Sequence, residues 1–166
     1  MTAIRALGKY EGALETLIHG FKYRQQFAAK TVFGFLLDNC RSDDLDFCRY
    51  DLLVPVPLHK KRLRERGFNQ AVVLADLLRK KYKVPLARAV LQRTVYTPPQ
   101  VQLRGDARKK NVRRAFKASD PAAVRNKTIL LVDDVYTTGA TMNECARTLK
   151  QAGASRIDGF VMARAV

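Results

Sequence analysis

The sequence contains no tryptophan and only three cysteines, Cys40, Cys48 and Cys145. An odd number cannot all pair within one chain. None of the three sits in a Cys-x-x-Cys spacing, which argues against a structural zinc site, so no zinc is expected. No stretch approaches the roughly 18 consecutive apolar residues that a membrane helix needs, so no membrane span is expected. Met1-Thr2-Ala3-Ile4-Arg5 is followed by no long apolar run, which argues against a signal peptide and for a cytoplasmic protein. A Gly-x-x-x-x-Gly-Lys-Ser/Thr phosphate loop is missing, which argues against a P-loop nucleotidase. Internal repeats and low-complexity stretches are absent too. Acidic residues are scarce: 15 Asp and Glu stand against 31 Lys and Arg.

That imbalance is the first positive feature. A net charge of +16 and a pI near 10.2 draw a chain towards polyanions, whether nucleic acid, phosphorylated metabolites or an acidic surface. The 166 residues are 47% hydrophobic, enough for one domain, 1–166, with a core to which 8 Phe and 6 Tyr contribute.

Leu14, Leu17, Ile18 and Phe21 recur at helical spacing and predict a helix over about 11–24, with a second over about 27–39. Ser42–Asp46 reads as a loop. Asp51-Leu52-Leu53-Val54-Pro55-Val56-Pro57 reads as a short buried strand stopped by prolines. The basic run His59–Arg66 follows. Asn69 is placed to cap a helix whose buried face carries Val72, Val73, Leu77 and Leu78. Ala89–Arg93 suggests another strand, and 96–116 a long loop holding little apolar periodicity. Thr128-Ile129-Leu130-Leu131-Val132 is the clearest buried strand. Beyond it come Asp133-Asp134, then Thr137-Thr138-Gly139, a helix over about 141–151 ended by Gly153, and a strand at Ile157–Ala163. A strand–loop–helix–strand unit implies parallel strands, so the fold class is α/β.

The loop between strand and helix carries the chemistry. In open α/β sheets, ligands bind beyond the carboxyl ends of the strands. Asp133 and Asp134 stand there, and carboxylates accept hydrogen bonds from sugar hydroxyls or from water on Mg2+. The small residues after them open a helix, whose free N–H groups and dipole attract phosphate. Gly139 allows close approach, and the Thr hydroxyls add donors. A charged strand end with an ordinary helix cap is the bland alternative. Receiver domains also carry paired Asp after an apolar strand, but near their start and with a later phosphoacceptor Asp. Here Asp158 is the sole Asp after Asp134.

Val132-Asp133-Asp134-Val135-Tyr136-Thr137-Thr138-Gly139-Ala140-Thr141 resembles the signature that binds phosphoribosyl pyrophosphate (PRPP) in type I phosphoribosyltransferases. Val54-Pro55-Val56-Pro57, Arg66-Gly67-Phe68-Asn69-Gln70, Gln100-x-x-Leu103 and Arg108-x-x-Asn111-Val112 resemble the ComF family. Ala6–Gly12 and the first helix resemble that family's N-terminal stretch. The resemblance implies a central parallel sheet flanked by helices, with a helical hood over 1–50 and a PRPP-binding core over 51–166. It implies that Asp133 and Asp134 hold the ribose hydroxyls and, indirectly, Mg2+. Thr137, Thr138, Gly139, Ala140 and Thr141 would cradle the 5-phosphate. Leu58, His59 and Lys60 would match the pyrophosphate loop. Residues 97–112, with Arg104, Arg108 and Lys109, would match the loop that closes over pyrophosphate. Asp133, Asp134, Lys60 and Arg108 are thus the catalytic candidates.

Two departures stand out. Many ComF members begin with a Cys-rich zinc module that this chain lacks; it is either a short variant or a start inside a longer reading frame. Purine-salvage relatives place an acid where Thr137 stands, which argues against hypoxanthine or guanine as acceptor.

Two basic clusters remain. Lys60, Lys61, Arg62, Arg64 and Arg66 form one. Arg104, Arg108, Lys109, Lys110, Arg113, Arg114 and Lys117 form the other. ComF proteins are associated with DNA uptake in natural competence, so single-stranded DNA and competence-machinery proteins are expected partners beside PRPP or a related phosphorylated ribose. Tyr96, Phe116 and Phe68 are the candidate stacking rings, although Phe116 and Phe68 equally suit a core. The loop serves catalysis and binding alike. A phosphoribosyltransferase, a non-catalytic DNA-binding module and a PRPP-sensing regulator therefore all stay open.

Overall fold

In the computed structural model, residues 1–20, 26–39, 46–96 and 112–165 are described. Strand β5 (Thr128–Tyr136) forms the centre, because Ile129, Leu130, Leu131 and Val132 are apolar on both faces and fully buried. Its neighbours are β6 (Arg156–Arg164) and β2 (Leu52–Pro55), both parallel to it. On the far side of β6 lies β1 (Ile4–Lys9), giving an all-parallel sheet of order β1-β6-β5-β2. Leu86 adds one further parallel bridge outside β2, at Leu53.

Helices cover both faces, as a parallel sheet requires. Helices α1 (Gly12–Gly20), α2 (Gln26–Asn39) and α4 (Gln70–Tyr82) lie on one face. There Ile18, Phe33, Leu74 and Leu78 pack on Leu53, Leu130, Val132 and Phe160. Helix α6 (Ala140–Gln151) lies on the other, with Met142, Cys145 and Leu149 against Ile129, Leu131 and Val161. A two-stranded antiparallel ribbon, β3 (Leu91–Arg93) with β4 (Phe116–Ala118), joins that second cluster. The other short helices among the described residues are α3 (Lys60–Arg66), α5 (Pro121–Val124) and a 3-10 turn at Phe47–Arg49.

Two expectations differ from what is found, and one run that carried no secondary-structure expectation takes a helix. The helical hood predicted over 1–50 begins only after residue 9, because Ile4–Lys9 joins the sheet as its edge strand. Strand β5 continues four residues past Val132, so the paired acids lie inside the strand's carboxyl end. The basic run 60–66 is helical, with His59 as its amino cap and Gly67, at φ +79°, as its carboxyl cap.

Candidate functional site

At the carboxyl end of β5, Asp134 N–H donates to Asp133 Oδ1 (2.9 Å) and Val135 N–H donates to Asp134 Oδ1 (2.8 Å). Each carboxylate is thus pinned through one oxygen. Burial, and then the adjacent Asp134 carboxylate, push the Asp133 carboxyl well above the usual range; the Arg93 guanidinium works in the opposite direction. Cys145, behind it on α6, has its thiol pushed up by burial and by Asp133. Two close carboxylates destabilise one another until a cation or hydroxyl donors arrive.

The chain then turns at once into α6. Gly139 adopts φ +72°, and a Cβ there would run into the Tyr136 ring. This position therefore requires glycine for both conformation and space. Gly139 offers no side chain to cap α6, and the nearest substitute is a long contact from Ala140 N–H to Thr138 Oγ1 (3.5 Å). A helix start with spare N–H groups, beside exposed Thr137 and Thr138, suits a phosphate.

A second wall comes from the turn after β2. Asn69 ties it down: its Nδ2 donates to Val56 O (3.0 Å), while its Oδ1 caps α4 by accepting from Ala71 N–H (2.9 Å). Lys61 N–H donates to His59 Nδ1 (3.2 Å), so His59 starts α3. Lys60 is exposed beside it. The His59 and Tyr96 rings lie 5.2 Å apart, and Lys61 Nζ is 4.7 Å from the centre of the Tyr96 ring. A third wall is the hood side, where Tyr10 N–H donates to Arg164 O (2.8 Å). Burial raises the Tyr10 phenol, and the negative charges of Glu15 and Asp134 raise it further.

Asp133, Asp134 and Thr137–Thr141 are thus brought together on one turn of chain, with His59 and Lys60 on the neighbouring strand's turn. Arg104, Arg108, Lys109 and Lys110 lie outside the described residues, as do Cys40 and the loop 97–111. Lys61, Arg64, Arg113 and Arg114 are exposed, while Arg62 and Arg66 are half-buried. Phe68 and Phe116 are core residues and leave only Tyr96, of the three candidate rings, for stacking. The sequence reading missed Arg93, which packs its guanidinium 5.5 Å from the Phe116 ring and whose charge acts to lower the Asp133 carboxyl. It also missed Glu144, which accepts from the Arg114 N–H and from Arg147 (2.9 Å) and so anchors the chain entering β4. A Glu in the first turns of a helix, on its buried side, was the available signal.

Among the described residues no group of three His, Cys, Asp or Glu forms a metal centre. Two carboxylates without a third fit Mg2+, which keeps several waters and binds through one or two carboxylates plus substrate phosphates.

The phosphoribosyl transferase domain family matches residues 64–165. The fold agrees: glutamine phosphoribosylpyrophosphate amidotransferase from B. subtilis, solved with ADP and GMP, superposes with a TM-score of 0.52 at 19% identity, over 80% of this chain and 26% of that one. Competence protein F of Haemophilus influenzae is 32% identical across 96% of this chain and 71% of its own length. DNA utilization protein YhgH of Escherichia coli is 31% identical across 93% of this chain and 69% of its own. ComFC of Bacillus subtilis is 30% identical, and the chain spans 63% of its length. The chain belongs to the ComF family.

Proposed function

We propose that the chain binds PRPP, with the ribose diol on Asp133 and Asp134 and the 5-phosphate on Thr137–Thr141. The observation that carries this is the juxtaposition of two pinned carboxylates with an uncapped helix start. Diol and phosphate lie at opposite ends of one ribose 5-phosphate, and the turn offers a partner for each. Mg2+, when bound, neutralises the pyrophosphate group. The exposed Lys60 lies where that group leaves, as an electrostatic stabiliser of the developing charge. In a turnover, an acceptor nucleophile forms a bond to C1 of the ribose as the C1–oxygen bond to pyrophosphate breaks. The names of the relatives, competence protein F and DNA utilization protein, support a role in the uptake or use of DNA.

Calorimetry with PRPP, with and without Mg2+, tests the site. Binding should weaken at least about a hundredfold in Asp133→Ala/Asp134→Ala. Absence of binding at millimolar PRPP in the wild type sinks the reading.

A second reading, a DNA-binding module without turnover, is favoured by the exposed cations Lys60, Lys61, Arg64, Arg113 and Arg114. It predicts single-stranded DNA affinity that falls steeply with salt, and no pyrophosphate release with any base or amine.

A further inference from the structure

Helix α3 is almost wholly charged, yet its one large apolar residue, Leu63, is 42% exposed. It faces a cleft of about 360 Å3 whose other walls are Pro57 and Leu58 of the turn after β2, and Phe68 and Val72 at the start of α4. Arg88 stands at its end. A second hollow, against Lys30 and Asp76, shares Val72, Val73 and Arg88 with the first, so the two make one groove along α4.

Asn69, Asp76 and Arg88 in the groove wall are engaged. Asn69 is spent on Val56 and Ala71. Arg88 reaches Asp76 at 3.2 Å, and the same carboxylate takes Arg79 and Lys80. An occupant therefore gains by burying apolar side chains. The rim is positive: Lys60 and Arg66 lie one turn either side of Leu63 on the same helix face, and three cations share the single Asp76.

These features select the occupant. Leu53 N–H points outward to Pro85 O, while Val56 N–H turns inward to Val132 O. The next outward positions on that edge are Pro55 and Pro57, which have no N–H to offer an added strand. Entry is thus through side chains. A second copy of a chain charged +16 is repelled by this rim. Nucleic acid finds no exposed ring here, because Phe68 is only 7% exposed.

We propose that the groove docks a segment of another protein, rich in Asp and Glu and anchored by one or two large apolar side chains. The test is selection of a displayed random-peptide library on the whole chain, followed by fluorescence polarisation of the enriched peptides. Enriched peptides are expected to combine acids with Leu, Ile or Phe, and to bind more weakly as salt rises. Affinity should drop at least about tenfold in Leu63→Ser and in Arg88→Glu, both exposed positions. It should change less than about twofold in Arg5→Glu, at the opposite edge of the sheet. Equal binding to wild type and Leu63→Ser overturns the proposal, as does enrichment of peptides without acids, or no enrichment at all. Oligo-dT binding or self-association abolished by Leu63→Ser also overturns it, and reassigns the groove to nucleic acid or to a second copy.

Discussion

Asp158 and Asp133 are carboxylates on adjacent central strands, and they are treated in opposite ways. Asp158, at the amino end of β6, has a side chain only 2% exposed. It accepts from Tyr50 Oη (2.9 Å), Arg156 Nε (3.0 Å) and Arg49 Nη2 (3.3 Å). Asp133, at the carboxyl end of β5, accepts one backbone N–H and sits against a second carboxylate. At one end of the sheet three donors converge on a single oxygen of the acid, Oδ2, while its Oδ1 is buried without a hydrogen-bond partner. At the other, the acid is short of donors and sits against a like charge, at a cost in stability that hydroxyl donors or a cation would offset.

Removing the compensated acid should have the larger effect on stability. Asp158→Ala leaves the buried Tyr50 hydroxyl and the Arg156 guanidinium without their acceptor, while Arg49 keeps the Tyr50 oxygen, and should cost about 3 kcal/mol. Thermal unfolding should show a fall of roughly 6–12 °C. A smaller fall would mean that Arg49 and Arg156, both partly exposed, are satisfied by water.

The next effect belongs to the functional end. Gly139→Ala forces a Cβ into the Tyr136 ring at a positive φ, and should cost about 2 kcal/mol. PRPP affinity should fall with it, because the α6 N–H groups are displaced. Tyr136→Leu in the same chain removes the ring and should recover part of the loss. No recovery would assign the cost to backbone conformation alone.

The contrast between the two ends was only half visible in the sequence. The run Ile129–Val132, the acids after it and the helix expected from about Thr141 were legible because each is a local pattern. Strand β1 was not: Ile4-Arg5-Ala6-Leu7-Gly8-Lys9 is a half-exposed edge with weak apolar alternation. Helix α3 was missed because seven residues with a single apolar member show no amphipathic period. Two of the three donors of Asp158, Arg49 and Tyr50, lie more than a hundred residues away, and no sequence pattern links them to it. The place of Arg93 opposite Phe116 follows from a β3–β4 pairing across a long intervening segment, which is equally non-local.

The smallest effects carry opposite signs, and together they sharpen the comparison. Asp133 binds its proton more tightly folded than unfolded, so stability falls as pH rises from about 4 towards the folded value. Asp133→Asn cannot ionise, and at neutral pH should be more stable than wild type by about 1 kcal/mol while binding PRPP poorly. Glu144 is the reverse case. Hydrogen bonds from Arg147, partly opposed by burial and helped by the Arg114 N–H, hold its carboxyl below the usual range. Its stabilisation is present above the unfolded value, near pH 4.3, and is lost as pH falls through the folded one. Because Arg147 is 44% exposed, solvent screening limits that share to about 0.5 kcal/mol. Melting temperatures of wild type, Asp133→Asn and Glu144→Gln across pH 3–8 separate the two carboxylates. The Asn variant should gain on wild type as pH rises, and the Gln variant should lose ground over the acid part of the same range. Parallel curves for both variants would mean that neither carboxylate's surroundings differ between the folded and unfolded chain.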